Sequence, residues 1–155
     1  MGGGGLGVNL LSPSPSEGIR RLVDFNKTPT RERLIEWLES MVADPEILTD
    51  ELIDERYENT MKPGAMEWSR TFRGHRLSGK SDPEVPLWAR SSRIKHRTLL
   101  TWGRDDRVVP LEHALVPLRQ MPDVELHVFP RCGHWAMIER KDEFERVVIE
   151  FLTRP

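Results

Sequence analysis

The chain has 155 residues, 37% of them hydrophobic, with 23 basic and 25 acidic side chains and a formal charge of −2. That balance supplies a core for one domain and no net positive field to hold nucleic acid or an anionic membrane, so a small neutral or anionic ligand is expected. No apolar run approaches the ~20 residues of a membrane helix, and "MGGGGLGVNL" has neither the basic region nor the continuous apolar stretch of a signal peptide. Leu6 stands where a myristoylation signal requires Ser or Thr. With Cys132 as the single cysteine there is no internal disulfide, and a reducing, cytoplasmic setting is the expectation.

After four consecutive glycines and a short apolar stretch, "SPSPSEG" breaks the chain before any element is completed. "TPTRERLIEWLESMV" then reads as a helix, with Thr28 as N-cap and Pro29 at the first helical position. Its apolar face carries Leu34, Ile35, Leu38, Met41 and Val42, and Asp44-Pro45 ends it. A second helix starts at Thr49 in "TDELIDERYENT" and sets Leu52, Ile53, Arg56 and Tyr57 on one side, so that its apolar stripe contains a cation. A third helical piece is expected near Met66 to Phe72, and residues 73 to 86, with turn formers and charges but no periodicity, read as a loop or hinge.

The pattern changes after that. "RTLLTWG" (97 to 103) and "VELHVF" (124 to 129) are short runs of strand character, and "PLEHALVPLRQM" between them reads as a helix that Pro117 kinks or ends early. "KDEFERVVIEFL" puts Phe144, Val147, Val148, Phe151 and Leu152 at helical spacing, as a helix covering a sheet face requires.

Two strands joined by a helical crossover are parallel and, as neighbours, only ~5 Å apart, so the loops leaving their C-terminal ends lie side by side. The loops are "GRDDRVVP" and "PRCGHW", which brings Asp106 and His134 to the sheet edge where doubly wound folds place their sites. A carboxylate beside an imidazole fixes its tautomer and stabilises the protonated ring, as proton transfer from a hydroxyl nucleophile requires. An isolated Gly-His is more often structural than catalytic; here the order acid, crossover helix, strand, histidine is that of the α/β-hydrolases. His75, His96, His113 and His127 lack such a setting and read as structural or solvated. Cys132 and His134 are too close in sequence to define a usual zinc pair, so no metal is expected, and Cys132 reads as a small buried filler.

The run from Thr101 to Leu152, "TWGRDDRVVPLEHALVPLRQMPDVELHVFPRCGHWAMIERKDEFERVVIEFL", together with "MGGGGLGVNLLSPSPSEGIRRLVDF", resembles the C-terminal part of the meta-cleavage product hydrolases, carbon-carbon bond hydrolases of bacterial aromatic and steroid ring degradation. The resemblance implies an α/β fold, the C-terminal portion of an α/β-hydrolase with a helical cap. Residues 1–13 would be the end of a core strand and its loop, 14–86 the cap, and 87–155 the remaining core. It implies a 2-hydroxy-6-oxo-dienoate substrate split into a dienoate and a second carboxylic acid without metal or organic cofactor, and a homo-oligomer when full length. By position, Asp106 matches the triad acid, His134 the triad base, Trp135 the aromatic bordering the substrate, and Arg56 the cap arginine holding the substrate carboxylate. The family pattern of Gly-Arg, one variable residue, then the aspartate selects Asp106 over Asp105. A guanidinium on an apolar helix face also calls for an anion, with pairing to Glu55 or to backbone near Leu52 as the bland alternative. Trp68 and Trp88 are candidates for the pocket wall or for core packing.

No G-x-S-x-G elbow occurs in the sequence, nor a His-Gly stretch for an oxyanion hole, and Gly3 replaces the proline usual in that segment of the family. The expectation is a C-terminal half that is inactive alone, the nucleophile and several strands lying in a preceding segment, since two strands are too few to close a hydrolase core. Two other readings stay open: a non-catalytic fragment or docking subunit, and an ester or epoxide hydrolase on the same fold.

Overall fold

In the computed structural model the structure describes residues 15–67 and 87–154. The first stretch is helical: α1 (Glu17–Lys27), α2 (Arg31–Glu39), a 3₁₀ turn (Pro45–Ile47) and α3 (Asp50–Met61). The second is α/β: a 3₁₀ turn (Leu87–Arg93), β1 (Thr98–Gly103), a 3₁₀ turn (Leu111–Ala114) running into α4 (Leu115–Gln120), β2 (Val124–Phe129), α5 (Ala136–Glu139) and α6 (Lys141–Thr153).

α1 is not expected from the sequence pattern. The Pro/Ser run that reads as a break ends in Ser16, whose hydroxyl caps α1 by accepting from the Ile19 amide, with Glu17 in the first turn and Lys27 in the last, each at the end of the helix dipole that favours its charge. Thr28 is therefore not the N-cap of α2. Its amide closes α1 on the Asp24 carbonyl, and Thr30 caps α2 by accepting from the Arg33 amide. Thr49 caps α3 through the Leu52 amide, as the pattern predicts. Residues 65 to 67 are helical, but the rest of the piece expected through Phe72, the loop 73 to 86, Trp68 and His75 lie outside the described residues.

Leu34 and Leu38 of α2 meet Phe25 of α1 and Ile53 of α3, and Met41 and Val42, just past α2, complete the same core. The Phe25 and Trp37 rings stack at 6.1 Å. Val108, in the loop after β1, is a buried member of this cluster, and Trp135 packs against its side. The helical layer thus sits directly on the two loops that leave the sheet.

β1 and β2 are parallel, in register from Thr98↔Val124 to Gly103↔Phe129, so both end at the same level. Pro117 does not break the crossover, because the α-helical part starts at Leu115 and places the proline in the first turn, where a missing N–H costs little. α6 packs Phe144 against Phe129, ring centroids 6.0 Å apart, while Val147, Val148 and Phe151 are half-buried. Leu152 departs from the expected face and is 69% exposed. Among the described residues no helix is long and apolar enough to cross a membrane.

Candidate active site

The shared end of β1 and β2 delivers the acid and the histidine to one place. His134 Nδ1 lies 2.8 Å from Asp106 Oδ2, across 28 residues of sequence. The other carboxylate oxygen, Oδ1, accepts from the amides of Val108 at 2.8 Å and Val109 at 2.9 Å. Oδ1 is thereby committed to the turn and Oδ2 is left to receive the imidazole; a neutral ring facing that carboxylate carries its proton on Nδ1 and leaves Nε2 as the acceptor. The Asp106 side chain is 5% exposed and that of His134 20%, so the pair is shielded on the acid side and open on the base side.

Asp105 takes no part in this pair. Its carboxylate meets Arg104 through two contacts of 3.1 Å at the surface, and that guanidinium holds it below the usual carboxylate range. It is Asp106, not Asp105, whose carboxylate caps the turn after β1. The Asp105 backbone does contribute, because its amide donates to the Cys132 carbonyl at 2.9 Å and ties one loop to the other.

Gly133 does not serve as a hinge in the left-handed region. The residue there is Arg131, with φ 50°, at the turn out of β2. Gly133 provides space instead: a β-carbon on it would stand 2.5 Å from the Met41 carbonyl oxygen. That closeness lets the His134 amide donate to the same carbonyl at 2.6 Å.

Arg56, exposed on α3, carries its guanidinium carbon 5.3 Å from the centroid of the Trp135 ring. Among the described residues no carboxylate lies within ion-pair distance of it, so the bland alternative of pairing with Glu55 is not realised. All four candidate residues, Asp106, His134, Trp135 and Arg56, thus form one continuous group. Trp88 stands apart from it, in the 3₁₀ turn before β1, where its carbonyl accepts from Ser91 Oγ at 2.8 Å. A slot of about 40 Å³ between Trp102, Ala136, Met137 and Phe144 holds both Asp106 and His134. A larger cleft of about 1240 Å³, edged by Arg20, Asp44, Arg107 and Arg131, reaches Asp106 without reaching His134.

Of the other described histidines, His96 is exposed, His113 Nε2 is buried without a hydrogen-bond partner among the described residues, and His127 Nε2 lies 3.5 Å from Glu143 Oε1, off hydrogen-bond geometry. Cys132 is fully buried, and burial followed by the nearby Glu139 charge pushes its thiol up to about 12. Among the described residues no cluster of three or more His, Cys, Asp or Glu is placed to hold a metal ion.

One residue of this region escaped the sequence reading. Glu139 ends the four-residue helix α5 and accepts from the amides of Gly133, Trp135 and Ala43. Its only signal in the sequence is a lone acid at the end of the apolar "WAMIE".

A family model described as alpha/beta hydrolase fold matches residues 18–141. The chain belongs to this family. The acid and the histidine of its two loops stand in the chain order that α/β-hydrolases use. Among curated relatives, the chain is 43% identical to a 2-hydroxy-6-oxo-6-phenylhexa-2,4-dienoate hydrolase of Burkholderia cepacia, over 99% of this chain and 52% of that protein. It is 41% identical, with the same coverage, to a 2-hydroxy-6-oxononadienedioate/2-hydroxy-6-oxononatrienedioate hydrolase of Comamonas testosteroni. Among solved structures, a 2-hydroxy-6-oxo-6-phenylhexa-2,4-dienoate hydrolase from Rhodococcus sp. strain RHA1 superposes with a TM-score of 0.73 at 31% identity, covering 92% of this chain and 52% of that one. A meta-cleavage product hydrolase from Pseudomonas fluorescens IP01 gives 0.72 at 31% identity, covering 91% and 51%. These likenesses bear out the resemblance read from the residues. The chain spans about half the length of the curated relatives it matches.

Proposed function

We propose that this chain is the cap-bearing, acid–base half of a hydrolase that cleaves a carbon-carbon bond in 2-hydroxy-6-oxo-dienoate ring-cleavage products. The observation that carries the reading is the 2.8 Å contact of His134 Nδ1 with Asp106 Oδ2, with Arg56 stacked on Trp135, the residue following the histidine. Relatives named for such dienoates at 41 to 43% identity support the choice of substrate class.

In this reading residues 14–86 are the cap and 87–155 the core that carries the acid and the base. Asp106 holds the imidazole in the tautomer whose Nε2 accepts a proton, and stabilises the ring once protonated. His134 first assists ketonisation of the dienol and then takes a proton from the attacking hydroxyl. That hydroxyl, from a serine supplied outside this chain or from water activated beside it, adds to the ketone, and the carbon-carbon bond breaks with the electron pair leaving on the dienoate fragment, which takes back the proton held by His134; an acyl group left on the serine is then released by water as the second carboxylic acid. Arg56 receives the substrate carboxylate on its fork of donors, and the Trp135 face under the guanidinium limits the directions in which it can swing.

The test joins this chain to a preceding segment bearing a nucleophile elbow and follows the decay of the yellow dienolate. The chain alone is expected to leave the colour unchanged, and the joined protein to discharge it, with Asp106→Asn abolishing the decay. A joined, folded protein that hydrolyses simple esters but leaves dienolates intact would replace this reading with the ester-hydrolase one.

A further inference from the structure

We propose that Glu139 is a positioning residue that sets His134 against Asp106 by fastening the histidine loop to the segment leaving α2. The inference rests on reading Asp106 and His134 as the catalytic pair.

The geometry around this carboxylate is unusually complete. Oε1 accepts from the Gly133 amide at 2.9 Å and the Trp135 amide at 3.3 Å, and Oε2 accepts from Gly133 at 3.0 Å and from Ala43 at 2.7 Å. The residues immediately before and after His134 therefore donate to one side chain. The amide of His134 itself donates to the Met41 carbonyl at 2.6 Å. Three consecutive amides of the histidine loop are thus committed, that of His134 directly to Met41 and those of Gly133 and Trp135 to Glu139, which also holds the Ala43 amide. The acid loop grips the same segment, because the Arg107 guanidinium, next to Asp106, donates to the carbonyls of Glu39 and of Val42, the latter at 3.1 Å. The stretch from Glu39 to Ala43 is a bracket held from both sides, and the Asp106–His134 distance is spanned across it.

A carboxylate suits the position because only acceptors are needed: three N–H groups converge on two oxygens, and charge strengthens each bond. A glutamine would turn its own N–H₂ toward at least one of those donors, leaving a partly buried amide unsatisfied. Releasing Gly133 and Trp135 frees the backbone on both sides of the histidine, and an imidazole displaced by a fraction of an ångström loses its aligned hydrogen bond.

The experiment uses the isotopically labelled full chain and reads the His134 Nδ1 proton, assigned by its loss in His134→Gln. In the unsubstituted chain this proton is expected as a slowly exchanging, far-downfield resonance, with the amides of Ala43, Gly133 and Trp135 protected. In Glu139→Gln those amides and the ring proton are expected to exchange roughly tenfold faster or more, while amides inside β2 keep their protection. A folded variant with faster loop amides but an unchanged His134 proton would reduce Glu139 to a structural role and overturn the proposal. Should Glu139→Gln not fold, Glu139→Asp decides on the same resonance: it keeps the charge but draws the carboxylate back by one methylene. A faster-exchanging ring proton supports the proposal and an unchanged one overturns it. An unsubstituted chain lacking any hydrogen-bonded His134 proton removes the catalytic pair itself, a failure distinct from a proton that is present and indifferent to both variants.

Discussion

Gly103 and Gly133 meet backbone to backbone: a β-carbon on Gly103 would lie 1.8 Å from the Gly133 carbonyl oxygen and 2.5 Å from that of Cys132. Neither glycine adopts a positive φ, so conformational freedom is not what these positions require. They are thin places where three segments stack, the end of β1, the histidine loop and the Met41–Val42 stretch after α2. Because Asp106 lies three residues past Gly103 and His134 one past Gly133, the thickness of this stack sets how near the acid and base can come.

Gly103→Ala should accordingly destabilise the chain by about 2–3 kcal/mol or prevent folding, since the atoms in the way are backbone and cannot swing aside. Urea denaturation checks this, the expected sign being a lower midpoint with an unchanged slope. A midpoint equal to that of the unsubstituted chain would mean that the two loops do not pack this tightly.

The two adjacent aspartates should separate cleanly. In the joined, active protein Asp106→Asn is expected to lower turnover by ~10⁴, because an asparagine can present its amide to Nδ1 and favour the wrong tautomer. Asp105→Asn removes only a surface pair with Arg104, of a kind contributing ~0–1 kcal/mol, and should leave turnover nearly unchanged. Steady-state rates of the two variants measured side by side decide, and equal losses would deny the selection of Asp106.

What the sequence disclosed and what it hid follow from the range of the interactions involved. Asp106 and His134 were legible because two strand-like runs and a crossover of ordinary length fix which ends lie together, whatever the details of the helix between. α1 was hidden because Ser16 has two roles, N-cap of the helix and donor to the Val108 carbonyl at 2.6 Å, while the prolines before it read only as breakers. The slip from Thr30 to Thr28 has a similar source: "TPT" offers two N-cap candidates, and Pro29 favours the wrong one unless the end of α1 is already known. Glu139 could not be read at all, since its three amide donors come from two segments and its helix is too short to show a period. Arg56 was noticed as a cation on an apolar stripe, but that its neighbour is Trp135 depends on how α3 lies over the histidine loop, which local pattern does not carry.

That neighbour gives Arg56 a testable division of labour. Arg56→Ala should raise KM for a carboxylated dienoate by roughly tenfold or more with a smaller change in kcat, the sign of lost binding that ground and transition states share. Arg56→Lys should recover only part of it, because an ammonium lacks the flat fork that both stacks on Trp135 and meets a carboxylate with two bonds. Comparison with an uncharged ester of the same substrate isolates the charge, and an equal rise in KM for both would deny Arg56 a carboxylate-binding role.

Cys132 supplies a pH dependence whose sign follows from its burial. The thiol has no exposed surface, and desolvation, with Glu139 adding to it, raises it from 9.0 to about 12. A group raised on folding stabilises the fold fully below its unfolded value and loses that contribution as pH climbs toward its folded value, so the loss falls between about 9 and about 12. Within that window the unfolded chain binds one proton fewer, and stability should fall by up to about 1.4 kcal/mol per pH unit from this group. Cys132→Ala removes the titration, so the difference between its urea midpoints and those of the unsubstituted chain, followed from pH 8 to 11, should narrow steadily as the pH rises. In the folded chain at pH 8 the thiol should also resist Ellman's reagent and react readily once urea is added. A thiol that labels at the same rate folded and unfolded would show that the histidine loop opens faster than the stacked glycines and the Glu139 carboxylate permit.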